Sequence, residues 1–333
     1  MNEKITVIGS NSFSGSHFVS HCLSEGLQVL GISRSSEPID AFLPYKWKKA
    51  GRLGQQFKFE RFDINRDPGA IADAIKEFRP DYVVNFAAQS MVAQSWRHPE
   101  HWYQTNVIGN VKLHDRLRHF DFLKKYVHVS TPEVYGNCSG KITESAQFNP
   151  STPYAVSRAA CDLHLITFLR QYNFPVVFTR AANVYGPGQQ LYRIIPRTIL
   201  YIMLKRKIPL HGGGNSVRSF IHIKDVADAT LKIARKAAPG GSFHISTDTH
   251  LSIRQLVEMI CGMMKVDFKD AVEIVDERPG KDAAYILDSA KLREELGWGD
   301  NIGLKDGIQE TIDWVSCNLD ALKSQPLEYI HKE

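Results

Sequence analysis

The chain has 333 residues, of which 43% are hydrophobic and 23% are charged, and these proportions exclude a disordered chain and a coiled coil. Its 41 Lys and Arg residues and 36 Asp and Glu residues give a net charge of +5. This mild excess suits an anionic small molecule, but the basic residues are spread too evenly to indicate a nucleic-acid partner.

Two further features bear on location and on metals. No apolar stretch approaches the roughly 18 residues of a membrane span, and no secretory signal precedes the first apolar segment. We therefore expect a cytoplasmic protein with no membrane partner. The five cysteines form no Cys-x-x-Cys pair, so we expect no metal site.

Strand-like and helix-like segments alternate through the first half of the chain. Short apolar runs predict strands, and segments with helical periodicity predict helices between them. The predicted strands cover residues 5–9, 27–32, 57–62, 82–86 and 126–130, and the predicted helices cover residues 16–25, 68–78 and 107–120. This alternation predicts an α/β fold, a Rossmann-type doubly wound parallel sheet that is buried on both faces.

The pattern changes after about residue 185, where Gly-Pro-Gly and later Gly-Gly-Gly interrupt the chain and the following elements are mainly helical. This change predicts a smaller, mostly helical C-terminal domain. We expect one more strand, at residues 219–223, to return to the first domain, with a packing helix behind it. The predicted division assigns residues 1–184 and about 216–242 to the Rossmann domain, and residues 185–215 and 243–333 to the second domain.

The segment VIGSNSFSGSHFV, between the first strand and the first helix, carries Gly9, Ser12 and Gly15. A dinucleotide-binding loop needs a tight turn, a close backbone approach to the pyrophosphate and close helix packing, and glycine is preferred at all three places. The amides at the helix N-terminus then meet the phosphates. Because Ser12 replaces the middle glycine, this loop alone is equally compatible with a plain strand-to-helix turn.

The end of the second predicted strand bears on the choice of cofactor. NAD sites usually place an acidic residue there for the ribose 2′-hydroxyl, whereas an arginine can accommodate a 2′-phosphate. No acid is present and Arg34 is, which favours NADP and leaves NAD possible. The alternative is that Arg34 is an ordinary surface residue. Asp63, after the third strand, could bind the adenine or cap the turn before the next helix.

Six segments of the chain resemble, in the same order, the extended short-chain dehydrogenase/reductase family. They are NFAAQSMVAQS (85–95), STPEVYG (130–136), PYAVSRAACD (153–162), RAANVYGPGQ (180–189), VRSFIHIKDVADA (217–229) and RPGKDAAYILDSAKLREELGW (278–298). The resemblance extends almost from end to end and is greatest to the nucleotide-sugar 4,6-dehydratases of the dTDP-glucose and GDP-mannose type. It implies a Rossmann fold, a nicotinamide cofactor and a nucleotide-diphosphate sugar as substrate.

The resemblance implies a catalytic tyrosine, Tyr154, with a basic residue four positions later on the same helix face. In the family this residue is a lysine, which holds the nicotinamide ribose and lowers the pKa of the tyrosine so that the phenolate can take a hydroxyl proton. Here the position holds Arg158, which is always charged but has a planar fork of different shape. The departure puts the rate in question. Without the family pattern, Tyr154 would be a helix-start aromatic packed on the sheet.

Within STPEVYG, the resemblance gives Thr131 a hydrogen bond to the sugar 4-hydroxyl and Glu133 the removal of the C5 proton. Relatives carry Asp or Ser between these residues, and the Asp helps water to leave from C6. This chain has Pro132, which has no proton to give. The leaving C6 hydroxyl would therefore receive its proton from Glu133 or from a bound water. Simple 4-epimerases have small or hydroxyl residues at the glutamate position, so Glu133 favours a dehydratase. The alternative is a partly exposed glutamate paired with an arginine.

The resemblance also implies a set of ligand contacts and a homodimer. The substrate-binding residues are Ser90, Thr131, Asn183, Arg193, Arg218 and Arg278, with the arginines serving the diphosphate and the nucleotide. The cofactor-binding residues are Gly9, Ser12, Phe13, Ser14, Gly15, Arg34, Asp63, Ile64, Phe86, Ala87, Ala88, Asn106, Tyr154 and Arg158. The dimer face would lie on the helices that start near residues 99 and 153. Their apolar stripes, at Leu113, Leu117, Leu163, Ile166 and Leu169, are equally typical of core.

The sequence therefore predicts a nucleotide-sugar 4,6-dehydratase, with three alternatives. A 4-epimerase or a simple sugar dehydrogenase would use the same scaffold. A variant dehydratase could leave a 5,6-alkene. A catalytically degenerate subunit would only bind the nucleotide sugar, and the changes at Ser12, Pro132 and Arg158 motivate that reading. The fold alone does not separate these activities.

Overall fold

A computed structural model describes residues 3–47, 56–138, 140–276 and 286–332. Its main sheet has seven parallel strands in the order β3-β2-β1-β4-β5-β7-β11. These strands are β1 (Lys4–Ile8), β2 (Gln28–Ser33), β3 (Phe57–Arg61), β4 (Tyr82–Asn85), β5 (Lys125–Val129), β7 (Val176–Ala181) and β11 (Ser242–Ile245). Their order reverses between β1 and β4, as in a Rossmann-type doubly wound sheet, which confirms the predicted fold class.

Helices cover both faces of this sheet, and the strands bury apolar side chains on each. One face packs against α1 (Phe13–Ser24) and α7 (Ile223–Lys236). The other packs against α2 (Pro68–Phe78), α4 (Asn110–Leu117) and α5 (Pro153–Tyr172). This two-sided burial explains why the strands are short continuous apolar runs rather than alternating ones.

Two predicted helices differ from those in the structure. The first begins at Phe13, ahead of the predicted residue 16, because the side chain of Ser12 accepts a hydrogen bond from the Gly15 amide and caps the helix there. The helix predicted over residues 107–120 begins within a π-helical turn at Gln104–Gly109, which follows α3 (Pro99–Tyr103), and continues as α4. Apolar periodicity does not distinguish a π turn from an α-helical one.

The strand expected to return to the first domain is present but belongs elsewhere, so this prediction was wrong. It is β10 (Val217–His222), which pairs with β8 (Asn183–Tyr185) and β12 (His250–Ser252) in a separate three-stranded sheet. The strand that joins the main sheet is β11, at its edge beside β7. A short apolar run indicates a strand but carries no information on which sheet receives it. The helix expected after β10 is present as α7, and it packs on α1.

The remaining elements lie mostly after residue 185. They are the strands β6 (Lys141–Ile142), β9 (Ile208–His211), β13 (Val272–Val275) and β14 (Ile286–Leu287), and the helices α6 (Ile194–Met203), α8 (Ile253–Met263), α9 (Phe268–Ala271), α10 (Ala290–Leu296), α11 (Leu304–Cys317) and α12 (Leu319–Leu322). Helices α6, α8 and α11 share their own apolar core, apart from those of the main sheet. Among the described residues, no helix is both long and apolar enough to cross a membrane.

Candidate active site

The expected site residues follow the carboxyl ends of β1, β4 and β5. In a doubly wound sheet these ends form the crevice in which ligands bind, at the point where the strand order reverses. The order reverses between β1 and β4, so the loop after β1 and the segment after β4 face the same crevice.

The loop after β1 is packed too tightly for side chains at two of its three motif positions. Gly9 has a φ of +84°, and a Cβ there would lie 2.8 Å from the backbone nitrogen of Ala87. A Cβ on Gly15 would collide with the carbonyl oxygen of Gly9. Glycine at both positions therefore allows the tight turn and the close helix–strand packing that a dinucleotide-binding loop needs.

Ser12, which replaces the middle glycine, fits this loop without strain. Its φ of −73° is open to any residue. Its hydroxyl donates to the carbonyl of Gly9 at 2.7 Å and accepts from the amide of Gly15 at 3.0 Å. Phe13 is buried and Ser14 is half-buried in the first turn of α1. The serine therefore caps the helix whose N-terminus would meet the phosphates.

The segment after β4 is held by one buried asparagine. The Asn106 side chain accepts from the Gln89 amide at 2.8 Å and donates to the Gln89 carbonyl and to the Ser157 hydroxyl. Asn106 therefore supports the segment rather than offering free groups to a cofactor. Phe86, Ala87 and Ala88 are half-buried beside the Gly9 loop, and Ser90 at the end of the segment is exposed.

Arg34 and Asp63 lie at the ends of β2 and β3. Arg34 donates from Nη2 to the carbonyl of Lys332 at 3.3 Å, and Gln89 donates to the same carbonyl, so the C-terminal tail crosses this end of the crevice. Asp63 accepts from the amide of Asn65 at 2.8 Å, which is the turn-capping role that the sequence left open. Ile64 is buried next to it.

The expected catalytic residues come together between β5 and the start of α5. Thr131 is buried and caps the short 3₁₀ turn Pro132–Tyr135, accepting from the Glu133 amide at 3.3 Å. Pro132 occupies the first position of this turn, where a missing N–H costs nothing. Thr152 caps α5, and two residues later Tyr154 is buried.

The pKa of Tyr154 reports which charges surround its phenol. Burial raises this pKa, and the nearby Glu133 raises it further, while Arg158, a hydrogen bond with Thr131 and Arg193 lower it. The net direction is upward, so Arg158 does not by itself produce a phenolate at neutral pH, contrary to what its charge alone suggests. The same interactions place Thr131, Glu133, Arg158 and Arg193 around one phenol.

Arg158 itself is almost fully buried. Its Nη2 donates to the Val129 carbonyl and to Nε2 of His128, the latter at 3.2 Å. Its Nη1 has no hydrogen-bond partner among the described residues. An uncommitted buried donor one helical turn from Tyr154 fits a ribose hydroxyl, which is the contact that the family lysine makes.

The substrate side is less enclosed. Asn183 begins β8, Arg218 lies on the neighbouring β10, and Arg193 precedes α6; all three are half-buried. Arg193 lies over the ring of its neighbour Tyr192. Tyr329 of the C-terminal tail packs edge-on against the same ring, with 5.6 Å between the two ring centroids. Arg278 lies outside the described residues.

Three buried polar residues behind Tyr154 were not predicted from the sequence. They are His128 on β5, Asp162 on α5 and Arg180 on β7. A signal was present for each. His128 and Arg180 interrupt otherwise apolar buried strands, and Asp162 follows Tyr154 and Arg158 at helical spacing.

Comparison with known proteins agrees with this geometry. The family model described as GDP-mannose 4,6 dehydratase matches residues 6–311. A dTDP-glucose 4,6-dehydratase of Streptomyces antibioticus is 33% identical, over 97% of this chain and 96% of that protein.

Solved structures give the same picture. DesIV, a dTDP-glucose 4,6-dehydratase from Streptomyces venezuelae solved with NAD bound, is 29% identical with a TM-score of 0.87, over 96% of this chain and 98% of that one. A UDP-glucose 4-epimerase from Thermotoga maritima is 26% identical with a TM-score of 0.85, over 95% and 99% of the two chains.

Proposed function

The chain belongs to the GDP-mannose 4,6-dehydratase family, and from that membership we propose that it removes water from the sugar of a nucleotide-diphosphate sugar. The single observation that carries this proposal is that Thr131 and Glu133 both lie beside the buried phenol of Tyr154. A dehydratase needs two bases at one sugar, one for the 4-hydroxyl and one for C5. Tyr154 and Glu133 are the two groups that this cluster offers.

In this proposal Thr131, Tyr154 and Glu133 act at different atoms of the sugar. Thr131 orients the 4-hydroxyl, and Oη of Tyr154 takes its proton. Glu133 takes the C5 proton, which is acidified once C4 is a ketone, and water then leaves from C6. When bound, the nicotinamide supplies a reversible two-electron acceptor for C4 and returns the electrons at C6, so none is consumed. A proton from solvent at C5, matching the one that Tyr154 releases to solvent, completes the product, a 4-keto-6-deoxy sugar.

Proline at position 132 separates this chain from relatives with an aspartate there. Pro132 is buried and offers no proton to the leaving hydroxyl. We infer that Glu133, one residue on and half-buried, returns the proton that it removes, directly or through a bound water. If water leaves but the hydride returns to C4 and not to C6, with a proton to the 4-oxygen, a 5,6-alkene remains.

We propose that the cofactor site prefers NADP. No acidic side chain ends β2; Ser33 does, and its hydroxyl accepts from the amide of Asn11 in the Gly9 loop at 3.0 Å. Arg34 follows it at the mouth of the crevice, where a 2′-phosphate would find a positive charge. The family structures solved with NAD motivate the opposite outcome. Calorimetric titration of cofactor-free protein with each dinucleotide tests this, and equal or tighter binding of NAD would overturn it.

We further propose that the sugar nucleotide lies between two parts of the chain. Ser90 and Thr131 would contact the sugar, and Asn183, Arg193, Arg218 and Arg278 the diphosphate and the nucleotide. The sequence assigns residues 1–184 with about 216–242 to the cofactor and 185–215 with 243–333 to the substrate. Because β10 lies outside the main sheet and β11 lies within it, we move 216–222 to the substrate part and extend the cofactor part to Ile245.

We also propose a homodimer through the face formed by α3, the π turn and α5. Large apolar side chains are exposed on this face, namely Tyr103, Ile108, Val156 and Leu163. By contrast, Leu113 and Leu117 are fully buried and belong to the core of the main sheet. Large apolar side chains exposed together on neighbouring elements are typical of an interface. Sedimentation of the parent protein and of Leu163→Lys tests it, since the charge should dissociate a dimer.

The experiment that tests the function is mass spectrometry of the protein incubated with GDP-mannose, dTDP-glucose and UDP-GlcNAc. Loss of one water with no net reduction of added cofactor is the expected result, and NMR would then place the keto group. The matched control is Glu133→Gln, which keeps the shape and removes the base. An unchanged mass with a new 4-epimer would overturn the dehydratase and favour the epimerase, an outcome that the neighbouring epimerase structures motivate.

A further inference from the structure

Helix α5 carries a stripe of three polar residues into the protein interior. Tyr154, Arg158 and Asp162 are spaced four residues apart and therefore lie on one face of the helix. All three are buried, and Asp162 is fully inaccessible. Buried charged groups are rare unless they are paired, so these residues need polar partners on the sheet beneath the helix.

The partners of Asp162 come from β5, from the residue after it and from β7. Asp162 accepts from Nη2 of Arg180 at 2.7 Å and from the Ser130 hydroxyl at 2.8 Å. Nε2 of His128 lies 3.4 Å from the other carboxylate oxygen of Asp162. Arg180 therefore pairs directly with the buried carboxylate, and the imidazole of His128 lies between that carboxylate and Arg158.

The imidazole of His128 must be neutral for its Nε2 to accept a hydrogen bond from Arg158. Burial, together with the neighbouring Arg158 guanidinium, holds the pKa of His128 well below its usual range. A neutral ring can carry its proton on Nδ1 and present Nε2 as an acceptor, which is the atom that Arg158 contacts. The groups that face His128 are Arg158, Arg180, His114, His164 and the carboxylate of Asp162.

We propose that His128 is the positioning residue for Arg158. Its Nε2 and the Val129 carbonyl hold one arm of the guanidinium, and Nη1 is thereby left for a ribose hydroxyl of the cofactor, one helical turn from Tyr154. A lysine presents its three donors from one nitrogen, whereas the arginine fork offers two separate Nη groups, one for the sheet and one for the ribose. The inference rests on the proposed function only in taking the cofactor to be a nicotinamide dinucleotide.

The first test measures cofactor binding and needs no catalysis. Cofactor-free protein is titrated calorimetrically with NAD and with NADP for the parent, His128→Phe, His128→Gln, Arg158→Lys and the double variant His128→Phe with Arg158→Lys. Phe keeps the ring volume and removes the acceptor, while Gln can accept through its amide oxygen. We expect roughly tenfold weaker binding for His128→Phe, the scale of a lost charged hydrogen bond, and recovery to within about threefold for His128→Gln.

The double variant separates positioning from a general structural role. If His128 acts through Arg158, the double variant binds the cofactor as Arg158→Lys does, because the two effects are not additive. Losses that simply add, or a His128→Gln that binds no better than His128→Phe, would overturn the proposal. Thermal unfolding of each variant controls for folding, and His128→Leu, which also lacks an acceptor, replaces His128→Phe in the series if the latter does not fold.

The second test is the pH profile of the water-loss reaction. Tyr154 is faced by Glu133, Thr131, Arg158 and Arg193. Displacing the Arg158 charge removes an influence that favours the phenolate, so the rise of rate with pH should move to higher pH in His128→Phe and return in His128→Gln. A profile that stays in place while the rate falls would overturn the proposal. If no sugar nucleotide is converted by the parent, the proposed function fails, and the binding series still decides the role of His128.

Discussion

The loop after β1 and the helix α5 each depart from the family pattern at one position, and the two departures are accommodated by different means. In the loop, Ser12 replaces glycine where the backbone has an ordinary negative φ, so its own hydroxyl suffices to fit it in. In the helix, Arg158 replaces lysine and depends on His128, Val129 and, beyond them, Asp162. The loop is a backbone-built site, formed by main-chain atoms, and whether a substitution fits there depends on the backbone dihedral angle. The region around Tyr154 and Arg158 is a side-chain-built site, and whether a substitution fits there depends on the side chain's hydrogen-bond partners.

The largest effect should come from the side-chain-built site. Tyr154→Phe removes the hydroxyl that accepts the proton and should slow product formation roughly 100- to 10,000-fold, the range for loss of a general acid–base group. Initial rates by mass spectrometry measure this, and cofactor binding in the same variant is the control. A rate within tenfold of the parent would show that another group takes the proton.

The backbone-built site should be broken by a single methyl group. Gly15→Ala places a Cβ against the carbonyl oxygen of Gly9, and overpacking of this kind costs roughly 1–3 kcal/mol. We expect cofactor affinity to fall by about 5- to 150-fold on that scale. The matched control is Ser12→Gly, at a position that tolerates either residue, and equal losses in the two variants would contradict this account.

His17 lies where the two parts of the molecule meet, because Nε2 of this α1 residue hydrogen-bonds the Pro187 carbonyl at 2.7 Å. Burial lowers the pKa of His17 to about 3, with His222 and Lys224 adding to the effect and Glu310 opposing it. The unfolded chain, with a pKa near 6.5, therefore binds the proton first as pH falls. The free energy of unfolding should decrease below about pH 6.5, by about 2 kcal/mol at pH 5 from this residue.

Urea unfolding at pH 7 and pH 5 measures this dependence. His17→Gln retains an N–H donor for the Pro187 carbonyl and cannot titrate, so its loss of stability between the two pH values should be smaller by the same amount. Equal losses in the parent and the variant would show that His17 titrates normally in the folded protein.

The smallest effect concerns the cap of α1. Ser12→Ala removes the acceptor for the Gly15 amide and should cost about 1 kcal/mol of stability, whereas Ser12→Gly should cost only a few tenths. Denaturant unfolding of both variants measures the difference. A larger loss for glycine than for alanine would mean that backbone rigidity, and not the hydroxyl, is what this position supplies.

Much of the fold could be predicted from the sequence because the strands of the doubly wound sheet are short apolar runs between helices of regular periodicity. The helix at Pro68–Phe78 was predicted to the residue. The assignment of β10 failed because sheet membership depends on pairing far along the chain: Phe220 pairs with Asn183, and no local pattern encodes that.

The candidate site was predictable where residues have local motif partners and not where they act through space. Tyr154 and Glu133 could be named from their segments, although their proximity needed the fold. His128 could not be connected with Arg158, because thirty positions separate a strand residue from a helix residue that meet only after folding. The net rise in the pKa of Tyr154 was likewise unpredictable, since it is set by burial and by four neighbours from the turn after β5, from α5 and from the start of α6.

The late position of β11 in the chain has a consequence for biosynthesis. The edge strand β11 and the helix α7 that covers α1 come well after β7, with the separate sheet of β8 and β10 begun in between. A ribosome adding roughly 5–20 residues per second needs on the order of 3–12 s to make the about sixty residues from β7 to β11. During those seconds β7 is an open sheet edge and one face of α1 is uncovered. An open edge of this kind can pair with another chain, so the nascent chain should need protection from aggregation at this stage.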